Sequence, residues 1–195
     1  RDFFSDTEPT WGADSETIYF TSTRGANVEL NAYKFDYKQL MYNDIYSTDI
    51  YSVKVGDARA VQLTKTPEWN EFRPQVTRNN RMAFISDKNG IQNVYEFNLD
   101  SRTVRPLTNL QSGVMQISIS ADGSRLALNA INEGYVDIFL MKSPFTRRLA
   151  AEPSPNYWAQ RRSQESVEQR VPAIQYVKDI YREKQIALQQ SDSSD

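Results

Sequence analysis

Arg81-Met82-Ala83-Phe84-Ile85-Ser86-Asp87-Lys88-Asn89-Gly90-Ile91-Gln92-Asn93-Val94-Tyr95-Glu96-Phe97 is two short apolar runs separated by a polar turn that carries a glycine. The same stretch returns 44 residues on, where Phe84 becomes Leu128, Ser86 becomes Ala130, Gly90 becomes Gly134 and Asn93-Val94-Tyr95 becomes Asp137-Ile138-Phe139. Stepping the same 44 residues towards the N-terminus, Asn93-Val94-Tyr95 maps to Asp49-Ile50-Tyr51 and Leu107-Thr108 to Leu63-Thr64. Several landmarks that share one spacing are a repeat, not a coincidence.

Each copy reads as strands. Ile18-Tyr19-Phe20-Thr21, Arg81–Ile85 and Arg125-Leu126-Ala127-Leu128 are β-rich or apolar, and the last two follow the hairpin-type turns Asn79-Asn80 and Asp122-Gly123. A second run, Val94–Phe97 or Ile138–Leu140, follows about ten residues later. Strand, turn, strand, turn at about 44 residues is the arithmetic of a four-stranded β-propeller blade. The first copy is longer: Gly25 to Asp49 spans 24 residues where Gly90 to Asn93 spans 3, so 21 extra residues fall within 26–48. Ile45-Tyr46 echoes Ile50-Tyr51, but the spacing to Tyr95 selects Tyr51 as the blade residue.

The composition narrows the chemistry. With 39% hydrophobic and 25% charged residues among 195, a packed core is expected. There is no Cys and no His, which excludes disulfides, zinc–thiolate sites, Ser-His-Asp triads and His-based metal sites built from this sequence. The net charge of −2 gives no electrostatic footprint for nucleic acid. Apolar runs reach four residues, as in Ile138-Phe139-Leu140-Met141, far short of the ~18 that a membrane helix needs. The chain begins at Arg1, which reads as a processed precursor or a segment of a larger protein. Asp14, Asp87, Asp122 and Asp137 sit at recurring blade positions, which marks turn or strand-end hydrogen-bonding groups. No catalytic, cofactor or metal site is expected. Arg24, Arg147-Arg148 and Arg161-Arg162 read as solvated or ion-paired charges.

The repeat resembles that of the TolB-like, or WD-like, propeller proteins, whose pattern is Pro-x-Trp-Ser-Pro-Asp-Gly, a strand ending in Phe-x-Ser, then Gly, Asp-Ile-Tyr and Leu-Thr. Here Pro9, Trp11, Asp14, Phe20, Ser22, Arg24, Gly25, Asp49-Ile50-Tyr51 and Leu63-Thr64 match it first. Pro74, Phe84, Ser86, Asp87, Gly90, Asn93-Val94-Tyr95 and Leu107-Thr108 match it second; Ser120, Asp122, Gly123, Gly134 and Asp137-Ile138-Phe139 match it third. Asn79-Asn80 stands in for Asp-Gly in the second copy, and the third lacks the Pro and Trp. The resemblance implies a non-catalytic protein-interaction scaffold, in the periplasm or otherwise outside the cytoplasm, with other domains, subunits or envelope proteins as partners. The chief alternative is a propeller gating domain of a prolyl-oligopeptidase-like or tricorn-like serine peptidase whose catalytic domain lies elsewhere.

The expected fold is all-β: a partial propeller of about three four-stranded blades over 1–143, an extended linker over 144–171, and a helix with a frayed tail over 172–195. Phe20, Phe84 and Leu128 should occupy equivalent buried positions, as should Tyr51, Tyr95 and Phe139. Three blades leave edges unpaired, so the piece should pack against further protein. In the insertion, Tyr33, Phe35, Tyr37, Tyr42 and Tyr46 are the candidate partner-binding residues. The alternative for these rings is packing against their own blade or a neighbouring domain.

Overall fold

A computed structural model describes residues 4–30 and 47–168. The chain divides into two compact units, Arg1–Asn156 and Tyr157–Asp195. The first unit is three antiparallel sheets. Strands β1 (Asp6–Trp11), β2 (Thr17–Ser22), β3 (Asp49–Lys54) and β4 (Val61–Gln62) form the first blade in that spatial order. Strands β5 (Glu71–Val76), β6 (Arg81–Ser86), β7 (Asn93–Asn98) and β8 (Thr103–Pro106) form the second. Among the described residues the third comprises β9 (Val114–Ile119), β10 (Arg125–Asn132) and β11 (Tyr135–Lys142). The expected partial propeller is present, with three strands in the third blade among the described residues.

Register follows the repeat. Phe20 lies opposite Tyr51, Phe84 opposite Tyr95 and Leu128 opposite Phe139. The left-handed turn positions fall where the chain can tolerate them: Asn80 at φ 53° closes the β5–β6 turn as Gly123 at φ 72° closes β9–β10. Thus an Asn substitutes for the Gly of the pattern without losing the hairpin. The first strands of neighbouring blades, β1 with β5 and β5 with β9, lie side by side. All three of these strands are bulged. In β1 and β5 the bulges fall at Glu8 (φ 55°) and Arg73 (φ 53°), where the Glu8 carboxylate accepts the Arg73 N–H at 2.6 Å.

Blade stacking makes two cores. Ile50 of the first blade is buried among Met82, Phe84, Tyr95 and Phe97 of the second. Ala83, Ile85 and Val94 of the second blade are buried against Leu126, Leu128 and Ala130 of the third. The first and second blades therefore offer aliphatic residues from β3 or from β6 and β7 to the next blade, and the second and third offer aromatic or leucine residues to the previous one. Phe20, Phe84, Leu128, Tyr51 and Tyr95 are buried as their spacing requires. Phe139 is not; it is 42% exposed, because among the described residues no fourth strand lies along β11 to cover it.

After β11 the chain makes a 3-10 turn at Pro144–Thr146 and crosses the second blade. Arg105 donates to the carbonyls of Phe145 and Arg147, and Asn156 donates its N–H to Asn89 O and its side-chain amide to Gly90 O, each at 2.9 Å. In the second unit, helix α1 (Tyr157–Glu168) lies inside the stretch read from sequence as an extended linker. Ala159, Gln160, Arg161, Arg162, Gln164 and Glu165 are strong helix formers with no Gly or Pro among them, and local propensity forms the helix without a marked apolar stripe. The helix expected at about 172–190 lies outside the described residues.

Candidate interaction surface

The third blade is best understood through the fastenings of the first two. In the first blade the Leu63 N–H donates to Ile50 O at 2.9 Å, and the Thr64 hydroxyl accepts the Ile50 N–H at 2.8 Å. In the second blade the Leu107 N–H donates to Val94 O at 2.7 Å, and the Thr108 hydroxyl accepts the Val94 N–H at 2.8 Å. The preceding polar residue completes the fastening: Asp49 Oδ1 accepts the Thr66 N–H, and Asn93 Oδ1 accepts the Leu110 N–H, each at 2.8 Å. This explains the Asp-Ile-Tyr and Leu-Thr landmarks together. Satisfying both backbone groups of a buried residue matters because an orphaned one costs about 1–3 kcal/mol.

Asp137-Ile138-Phe139 is the third version of this arrangement, and β11 is the outer strand of its sheet. Ile50 and Val94 are fully buried, whereas Ile138 is 82% exposed. Val136, Leu140 and Ile131 are exposed on the same face, since Asn129 pairs with Ile138, Ala127 with Leu140 and Ile131 with Val136. That face corresponds to the one on which the second blade receives the third. The Asp137 carboxylate accepts only a local bond, from the Asn132 amide at 2.9 Å, among the bonds described. A contiguous apolar face beside an unpaired edge marks an interaction surface.

The opposite end of the stack is closed. Phe20 and Tyr51, which face away from the second blade, are covered by Leu30, Ala60 and Val53. The Arg24 guanidinium, wholly buried, sits 5.8 Å from the Phe20 ring centroid and 6.0 Å from that of Tyr51. Bonds Leu30 N–H to Ala58 O and Ala60 N–H to Val28 O lay residues 28–30 alongside 58–60. Arg24, read from sequence as a solvated or paired charge, is paired, and it also caps an aromatic face.

The remaining polar clusters are structural. Asp14 and Asp122 sit in turns and are held down to about 2, chiefly by hydroxyl donation from Thr17 and Ser120 respectively. Asp87 accepts the Asn70 N–H at 2.6 Å, tying the β6–β7 turn to the entry of β5. Burial pushes the Glu71 carboxyl up to about 8, against the donated hydroxyl of Thr64. Glu96, also buried, pairs with Arg81 and lies 2.5 Å from Arg105 Nη2, an ion pair without hydrogen-bond alignment. Arg81 and Arg105 line a cleft of about 550 Å³ with Phe145, Arg147, Arg148 and Glu152. Their guanidiniums are engaged by Glu96 and by backbone carbonyls.

Tyr33, Phe35, Tyr37, Tyr42 and Tyr46 lie outside the described residues. The face built on Ile138 was not singled out by sequence reading, although the 44-residue spacing aligns Ile138 with Ile50 and Val94 and so held the signal.

No protein-family profile and no curated protein matches this sequence. Solved structures do match. A structure from Agrobacterium tumefaciens assigned as TolB aligns with a TM-score of 0.52 at 15% identity, covering 72% of this chain and 46% of that one. A puromycin-hydrolyzing peptidase of Mycobacterium tuberculosis aligns at 0.51 and 15% identity, covering 77% of this chain and 23% of that one. A puromycin hydrolase aligns at 0.53 and 12% identity, covering 78% and 22%. The chain thus spans less than half the length of each of these structures. At these identities the likeness concerns fold alone. With three stacked antiparallel sheets, the chain has a TolB-like β-propeller-type fold.

Proposed function

We propose that this chain is a non-catalytic protein-interaction scaffold, one part of a larger protein or complex of the bacterial cell envelope, and that its third blade is where it joins the rest. The observation that carries this reading is Ile138, 82% exposed at a position whose two repeat equivalents are fully buried by a following sheet. Leu140 and Val136 extend the same apolar surface. The extracytoplasmic location follows from the resemblance to TolB-like repeats. Without His or Cys, neither a Ser-His-Asp triad nor a Cys-His dyad can be built from this sequence, which favours the non-catalytic reading.

The test compares the chain with an Ile138→Lys/Leu140→Lys variant by sedimentation and apolar-dye binding. The unaltered chain should self-associate or bind dye, and the variant should be monodisperse with an unchanged melt. A compact, dye-free monomer for the unaltered chain would refute the reading. The second reading, a gating propeller of a serine peptidase, is favoured by the alignment with puromycin hydrolases over 77–79% of this chain. It requires a separate domain bearing the triad, and the two readings part on whether such a domain is encoded in the same reading frame.

A further inference from the structure

The outer edge of β11 has a chemistry of its own, separable from the apolar face beside it. In the first two blades the outermost partner of the Ile50 or Val94 strand is an extended segment that arrives antiparallel, pairs Gln62 with Tyr51 or Pro106 with Tyr95, and ends in Leu-Thr. The Leu N–H takes the carbonyl of Ile50 or Val94, and the Thr hydroxyl takes its N–H. Ile138 pairs with Asn129 of β10 in the register by which Val94 pairs with Ile85 of β6, so its N–H and C=O are directed away from β10. The central residues Ile138-Phe139-Leu140-Met141 carry no charge to discourage pairing.

The geometry points to β11 as the acceptor for a fourth strand donated by another protein: an extended, antiparallel segment whose Leu-Thr pair fastens Ile138, with a following backbone N–H on Asp137. This rests on the scaffold reading above and specifies the partner. A second copy of the chain is a poor donor, because Leu-Thr occurs only at 63–64 and 107–108 and both pairs are already engaged on Ile50 and Val94. The donor should also differ from β8 at one place. Arg105 lies opposite Glu96 and forms an ion pair with it, but the residue one repeat after Glu96 is Leu140. A donor strand that suits β11 therefore carries an apolar residue there.

The probe is a labelled peptide with the sequence of residues 101–110 and the change Arg105→Val, titrated into the full chain and followed by fluorescence anisotropy. Saturable binding is expected. Peptides with Thr108→Ala, or with Arg105 retained, should each bind about tenfold more weakly. In the protein, Ile138→Pro removes the N–H that would donate to the incoming Thr hydroxyl, at a solvent-facing edge position where proline is tolerated, and should abolish binding. Asp137→Ala is the companion variant, expected to weaken binding without any backbone change. Equal affinity for the Thr108→Ala peptide overturns the Leu-Thr fastening. No peptide binding, together with self-association that Leu140→Lys removes, overturns strand donation and leaves the scaffold reading standing. A dimer joined through β11 that the peptide does not displace also overturns it.

Discussion

Arg24 Nη2 lies 2.5 Å from Asp6 Oδ2, so a wholly buried guanidinium is neutralised by a carboxylate that still reaches solvent. The pair spans the exposed end of the first blade and holds the guanidinium over Phe20 and Tyr51. Arg24→Ala removes the charge, the cover and the bonds to Asn27 O and Glu29 O together. The expected cost is about 2–4 kcal/mol in a urea melt, discounted for the solvation of Asp6. Arg24→Lys should recover part of it, since the charge returns without the planar fork.

Ile50 and Ile138 are the same residue type at the same place in the repeat, with opposite surroundings. Ile50→Ala should cost about 2–5 kcal/mol, as a core truncation does. Ile138→Ala should change stability by no more than about 0.5 kcal/mol, as an exposed site does. Parallel denaturant titrations of the two variants check this directly.

The Glu71 carboxyl titrates near 8 in the folded chain, against 4.5 for an ordinary glutamate, because burial disfavours its charged form. The folded state therefore binds the extra proton between those values, and stability falls as pH rises from about 4.5 to about 8. The loss is on the order of a few kcal/mol over that window. Glu71→Gln keeps a hydrogen-bonding amide and removes the titration, so its melting temperature should be flatter over the same range and higher than that of the unaltered chain at pH 8.

Gly90 adopts φ +81°, and a Cβ there would lie 2.1 Å from the Asn156 side chain. Gly90→Ala should cost about 1 kcal/mol in backbone strain and loosen the strap that ends at Asn156. Faster tryptic cleavage at the exposed Arg147-Arg148 pair is the readout. Unchanged cleavage would mean that Arg105 alone anchors the segment.

The blades were legible because their signals are local and repeated. Turn residues at Asn79-Asn80, Gly90 and Gly123, and the Phe84–Tyr95 spacing, each fix one hairpin, and a common period fixes their stacking. The choice of Tyr51 over Tyr46 by spacing agrees with the observed pairing to Phe20. Burial was read less well. Phe139 inherits the spacing of Tyr95 but not its cover, because cover comes from a fourth strand that periodicity does not guarantee. Arg24 looked ordinary since its partners, Asp6 and the rings of Phe20 and Tyr51, converge only once the blade has formed. The α1 helix was hidden by Pro144, Pro153 and Pro155, which bias the preceding stretch toward extended chain, and by the absence of an apolar period in 157–168.

Residues 24–30 occupy the face in front of Phe20 and Tyr51, so that face does not offer the third blade of another copy the socket that the second blade offers the third. Head-to-tail growth into a filament needs two different open faces per molecule, and here one has been used up internally. Association of copies through the third blade alone would therefore stop at a closed pair instead of growing into a fibre.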